Sequence, residues 1–219
     1  MEAVKNGRTA LDYGILGLYA FCALEIEFLL ILFIEPYAFS SVNDPTLYCC
    51  LHWGLSALLQ AGAAAVLWIV GKRRYAFDIF SCHTRPQRRF LLIALGLCLL
   101  GIGYNYLSCG EWMLAYKLRV LTPVEFVFQY LVYLTKAALM LFLIAFGQKA
   151  GEIKKHGSRA PWGGFLAGAL WGLFQLLTVQ DLLTGILSCV VCVVYGVVYL
   201  LVNKNVRYAY PLLVLMIGL

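Results

Sequence analysis

Six windows of roughly twenty apolar residues divide this chain, and few folds accommodate them. They are Tyr13–Ile34, Leu47–Val70, Phe90–Ser108, Val124–Gly147, Gly163–Thr178 and Leu182–Val202. A helix rises about 1.5 Å per residue, so ~20 residues cross the ~30 Å hydrocarbon core of a bilayer. Within hydrocarbon every backbone N–H and C=O must be hydrogen-bonded, and a helix achieves this within one apolar segment of this length. A seventh run, Tyr208–Leu219, covers only about 18 Å and predicts a short or re-entrant helix. The fold class expected is all-α, a polytopic transmembrane helical bundle with six full spans plus a short seventh C-terminal helix. Composition agrees: 63% of the 219 residues are hydrophobic and 13% charged, against about 25% charged in soluble proteins. The first run is too long for the core of a signal peptide and no small-x-small site follows it, so it is read as a span. Linkers are short and no repeat or low-complexity tract occurs, so residues 1–219 are read as a single integral membrane domain.

The net charge of +6 has a simpler source than nucleic acid. With the N-terminus inside, fourteen of the seventeen Lys and Arg fall in inner segments, while Lys117 and Arg119 alone fall outside and Lys136 lies within a span. Such asymmetry orients a membrane protein. It predicts a multi-pass protein of a bacterial cell membrane with a cytoplasmic N-terminus, with the lipid bilayer as its first partner and no nucleic acid. The Lys72–Arg89 loop is the largest basic cluster, read as an orientation determinant touching anionic headgroups. The loop Cys109–Thr122 is read as a short amphipathic segment in the interface.

Ionisable groups at mid-bilayer are costly and need a reason. Away from the span ends lie Glu25 and Glu27 on the first span and Lys136 on the fourth. Glu25 and Lys136 lie about 18 and 17 Å from the inner ends of their helices, at matching depth and with opposite charge. An intramembrane pair between Glu25 or Glu27 and Lys136 is therefore expected. Gln60, Asn105, Gln129 and Gln175 mark further interior faces. Gly164, Gly168 and Gly172 form a ridge on one helical face that lets a neighbouring helix approach closely. Cys189 and Cys192 share a helix face and are read as packing residues, since zinc needs four ligands. Cys49, Cys50 and Cys109 lie on the outer side.

Catalytic and metal patterns are sparse. His52, about 8 Å into the second span, His83 and His156 share no helix, and none has a His or carboxylate three or four residues on. No metal site and no cofactor is expected. Phosphate loops and a Gly-x-Ser-x-Gly nucleophile elbow are absent.

The last third has more texture. Pro161-Trp162-Gly163-Gly164-Phe165, Trp171-Gly172-Leu173-Phe174-Gln175, Tyr195-Gly196-x-x-Tyr199-Leu200-Leu201 and Asn203-Lys204-Asn205-x-x-x-Ala209-Tyr210-Pro211 resemble the CPBP family (CAAX protease and bacteriocin-processing, or Abi). The resemblance covers residues 161–219, about a quarter of the chain. It implies an intramembrane endopeptidase scaffold in which a glutamate activates water and histidines position it. That family carries paired glutamates followed by an arginine, Phe-x-x-x-His, and His-x-x-x-Asn. Here Glu152 is the nearby acid, Trp171-x-x-x-Gln175 stands where Phe-x-x-x-His would be, and no histidine follows His156. Glutamine cannot take up a proton near neutral pH. The resemblance thus implies Glu152 and Gln175 at family positions without the family's hydrolytic chemistry.

Three functions are compatible with these residues. The first is a CPBP-like membrane protein that lacks the proteolytic site and binds a peptide or membrane-protein partner. The second is an active but divergent CAAX-type intramembrane endopeptidase using Glu152 and Gln175. The third is a small transporter or channel subunit whose path is lined by Glu25, Glu27 and Lys136.

Overall fold

The computed structural model describes residues 9–155 and 160–218, without the side chains of residues 104, 105 and 107–109. Lys5, Arg8, His156 and Arg159, and the side chains of Asn105 and Cys109, lie outside the described residues. Among the described residues the regular structure is all helical.

Helix α1 (Ala10–Leu24) starts on a capping box, in which the Asp12 N–H donates to the Thr9 hydroxyl and the Thr9 N–H donates to the Asp12 carboxylate. A bend of 48° separates it from α2 (Ile26–Phe33), and a single turn, α3 (Glu35–Ala38), follows. Helix α4 (Pro45–Tyr75) is 31 residues long, with Asp44 accepting the Thr46 N–H and Pro45 preset for the first turn. Next come α5 (Arg88–Cys109), the short α6 (Met113–Val120) and α7 (Pro123–Lys154). Helix α7 runs 32 residues, and Thr122 and Glu125 cap its start reciprocally. Then α8 (Trp162–Ala167) passes through a π-helical turn, Gly168–Gly172, into α9 (Leu173–Val179). Helices α10 (Leu182–Leu201) and α11 (Val206–Gly218) complete the described chain.

Helix α7 is the axis of the bundle. Every residue from Leu139 to Gln148 is buried, so no face of that stretch meets lipid or water, as expected of a helix apolar all round. Helices α1, α4, α8 and α11 pack around it. The outer faces are apolar as well: Leu58, Leu92, Leu99 and Leu177 are each 67–69% exposed. In water so much exposed leucine would be an aggregation surface; against lipid tails it is the matching one.

Four helices are long and apolar enough to cross a membrane: Pro45–Tyr75, Pro123–Lys154, Trp162–Val179 and Leu182–Leu201. The bent pair α1–α2 brings the number to five if it counts as one crossing. The protein thus has the helices of a multi-pass membrane protein, with four to five such crossings among the described residues rather than an established six. Two elements account for the difference. The window Tyr13–Ile34 is no straight span but two helices meeting at Glu25. The window Phe90–Ser108 lies on α5, whose last turns hold the residues without described side chains. The short final helix is 13 residues, Val206–Gly218, and the Tyr130 hydroxyl donates to the Gly218 carbonyl at 3.0 Å.

Glycines permit the tight contacts. A Cβ on Gly163 would strike the Ile144 carbonyl of α7, and one on Gly196 would strike the Gly164 backbone. The expected ridge lies against α10, with Gly164 on Cys192 and Val193 and Gly168 on Cys189. Between apolar helices in lipid, such van der Waals contact replaces the hydrophobic effect as the source of association. Cys189 and Cys192 are free thiols inside this contact, and Cys189 Sγ donates to the Gly168 carbonyl at 3.2 Å.

Most described Lys and Arg gather at one end of the bundle. There the Tyr13 hydroxyl donates to the Tyr75 carbonyl, Asn203 Nδ2 to the Arg85 carbonyl and Asn205 Nδ2 to the Thr84 carbonyl. The first ties α1 to the end of α4, and the two asparagine bonds tie the 76–87 loop to the turn between α10 and α11. At the other end α6 has no buried residue, and its Arg119 pairs with Glu111 at 2.6 Å.

Candidate functional site

The bend between α1 and α2 places two carboxyls at the helix break. Glu25 is both the C-cap of α1 and the N-cap of α2, and Glu27 lies in the first turn of α2. A break inside an apolar segment leaves backbone groups to be satisfied by neighbours. Gln60 of α4, fully buried, does this for Leu24: its Nε2 donates to the Leu24 carbonyl at 3.2 Å, while its Oε1 accepts from the Thr135 hydroxyl at 2.7 Å. The bend is thereby pinned to both long helices.

Each oxygen of Glu27 has a different partner. Oε2 pairs with the Lys136 ammonium of α7, and Oε1 lies 3.2 Å from His52 Nε2 of α4. His52 Nδ1 in turn makes a short contact with Glu35 Oε1. Glu35 Oε2 accepts from the Tyr48 hydroxyl at 2.7 Å. Five side chains therefore form one connected series, Lys136–Glu27–His52–Glu35–Tyr48, from the axis of the bundle to a tyrosine that is 37% exposed. Helices α2, α3, α4 and α7 each contribute to it.

The geometry also specifies a proton. Both imidazole nitrogens of His52 face carboxylate oxygens, and a neutral imidazole has only one N–H to give. The Glu27–His52–Glu35 unit is satisfied when it holds one further proton, as the imidazolium or on one of its carboxyls. Counted as imidazolium, the series is neutral, with two carboxylates against two cations. Glu25 is a third carboxyl. It feels the Lys136 charge, and its Oε1 is buried with no hydrogen-bond partner among the described residues. An arrangement of this kind can store, donate and pass protons inside the membrane.

Lys136 has a second exposure. With Leu24, Tyr133, Met140, Trp171 and Ser188 it lines a cavity of about 420 Å3 bounded by α1, α6, α7, the π-helical turn, α10 and α11. Helical pockets with an apolar wall and few polar groups commonly take small molecules.

The other expected site residues lie apart from this series. Glu152 sits in the last turns of α7 at the basic end, where Lys204 Nζ donates to it at 2.5 Å and Gln148 Nε2 at 2.8 Å. It lines a separate cavity of about 120 Å3 with Asp78, Tyr199 and Lys204. Gln175 sits on α9 and lines neither cavity. Of the expected residues, then, Glu27 and Lys136 are in direct contact, Glu25 stands beside them, and Glu152 and Gln175 are not brought together. Among the described residues no group of His, Cys, Asp and Glu has a metal-binding arrangement.

Sequence reasoning missed Glu35, Tyr48 and the role of His52. One signal was available: Glu27 and Glu35 are eight residues apart, about two helical turns, and so on a similar face. The bend that brings both to His52 had no such signal. No family model, no curated protein and no solved structure matches this chain.

Proposed function

We propose that the protein is a small proton-conducting transporter of the cell membrane, and that Tyr48, Glu35, His52, Glu27 and Lys136 carry the proton between one membrane face and the cavity beside Lys136. The observation that supports this most is the continuity of the series, in which each side chain contacts the next and the two ends reach the exposed rim and the cavity wall. Chains of Glu and His within membrane helices are the usual means of moving protons there. The helix break at Glu25 lends a second support, because interrupted helices in transporters line binding sites. Positive-inside asymmetry supports a cytoplasmic basic end, N-terminus included, and in that orientation the series opens outward. A peptidase reading draws no support from the arrangement, since Glu152 and Gln175 line no common cavity and Glu152 is occupied by Lys204 and Gln148.

The test is proton flux in vesicles containing the purified protein and an internal pH dye, with the membrane potential clamped. Wild type should relax an imposed pH step several-fold faster than empty vesicles. Glu27→Gln and His52→Phe should return the rate to that background, and Tyr48→Phe should lower it partly. Wild-type vesicles no faster than empty ones would overturn the proposal.

A further inference from the structure

We infer that the 420 Å3 cavity binds an amphipathic monocarboxylate, whose carboxylate takes the place of Glu27 on the Lys136 ammonium while Glu27 takes up a proton from His52. This rests on the transporter reading for the proton path and adds the ligand to it.

The cavity wall selects the ligand class. Lys136 is the one charged side chain among its described lining residues. The rest of the wall is largely aliphatic and aromatic, from Leu24, Met140, Trp171 and Met216, with hydroxyls from Thr184, Ser188 and Tyr133. A wall of that kind fits an apolar tail, and a single ammonium fits a single negative head. Its volume lies in the range of small-molecule sites, about 300–1,000 Å3.

Charge balance selects a monoanion. Lys136 is already neutralised by Glu27. A ligand carboxylate that displaces Glu27 would strand an unpaired negative charge in the membrane, which is strongly unfavourable. Protonating Glu27 removes that charge, and the donor is in place: His52 Nε2 lies 3.2 Å from Glu27 Oε1. The step begins with ligand carboxylate, Glu27 carboxylate, Lys136 ammonium and the protonated His52. It ends with the ligand carboxylate on the Lys136 ammonium, Glu27 as neutral acid and His52 as neutral imidazole. No covalent bond to carbon changes. Reprotonation of His52 through Glu35 and Tyr48 then draws one proton from outside for each anion bound. A dianion would leave one charge unmatched. The other titratable groups facing the exchange are Glu25 at the bend, Tyr133 beside Lys136, and Cys192 and Tyr195 on the opposite wall. None of these brings a positive charge, and the compensating proton comes through His52, whose Nε2 is in direct contact with Glu27.

The probe is octanoate, titrated calorimetrically into the detergent-solubilised full chain in buffers of different ionisation heat, beside octanol and octyltrimethylammonium. Octanoate should bind with uptake of about one proton and tighten up to about tenfold per pH unit as pH falls, while the alcohol and the cation should bind at least tenfold more weakly. Glu27→Gln, which imitates the protonated acid, should still bind octanoate but without proton uptake. Glu27→Gln combined with Lys136→Met removes both charges and so keeps the bundle neutral; it should lose octanoate selectivity over octanol. Equal binding of octanol and octanoate, or full proton uptake in Glu27→Gln, overturns the inference. Proton flux in vesicles without octanoate binding would do so too while leaving the transporter reading standing. Binding with proton uptake but no flux would support the ligand assignment and sink that reading.

Discussion

At the scale of single residues, depth in the membrane predicts that a partner exists but not which one it is. Glu25 and Glu27 are two residues apart and equally eligible for Lys136, and the local bend gives the ion pair to Glu27. Glu25 is left with a buried oxygen that no hydrogen-bond donor among the described residues reaches. Outside the spans, Asp78 shows how a loop carboxylate is held. Burial opposes its ionisation, but the Phe80 amide at 3.0 Å, Lys72 at 3.1 Å and the Trp68 indole at 3.3 Å prevail and keep it below the ordinary carboxylate range. A depressed folded value means that its stabilisation is fully present above the unfolded value of about 4 and is lost as pH falls through the folded value. Asp78→Asn should therefore lower the melting temperature slightly at pH 7, an exposed ion pair being worth about 0–1 kcal/mol. The gap from wild type should close as the medium is acidified; a gap that widens in acid refutes this account of the loop.

At the scale of elements, periodicity located the helices but not their interruptions. Thr9, Asp44, Thr122 and Asp181 cap the starts of α1, α4, α7 and α10 with side chains that accept backbone N–H groups, and such caps are legible in a sequence. The bend at Glu25 and the π-helical turn at Gly168–Gly172 are not, because each depends on what the neighbouring helix supplies: Gln60 for the Leu24 carbonyl, Cys189 for the Gly168 carbonyl. The glycine contacts are sharper. Gly163→Ala should destabilise the bundle by about 1–3 kcal/mol, the usual cost of overpacking, since the added methyl meets backbone rather than a movable side chain. Gly14→Ala, where a Cβ finds nothing within 4 Å, is the control and should be neutral or stabilising. Thermal unfolding in detergent compares the two, and equal stability of the variants would contradict the packing described.

For the whole molecule, the paired ends of the helices collect basic residues from α4, α5, α7 and the α10–α11 turn on one side. The orientation this implies is open to direct measurement. A green fluorescent protein fused after Lys155 should fluoresce, and alkaline phosphatase fused after Leu121 should be active, because each reporter works on only one side of a bacterial membrane. The reverse pattern would turn the molecule over and direct the Tyr48 end of the series to the cytoplasm.

The sequence by itself determined the solvent of this protein. Long apolar runs with a deficit of charge admit only a helical membrane bundle, and the intramembrane position of Glu25, Glu27 and Lys136 follows from counting residues along a helix. It could not determine the series through His52, Glu35 and Tyr48, nor the cavity beside Lys136. Those depend on a 48° bend and on the packing of helices distant in the chain, which brings Glu27 to Lys136 and Leu24 to the same cavity wall as Met216. Side-chain depth is a property of one helix, whereas contact is a property of several packed together, and only the tertiary structure decides it.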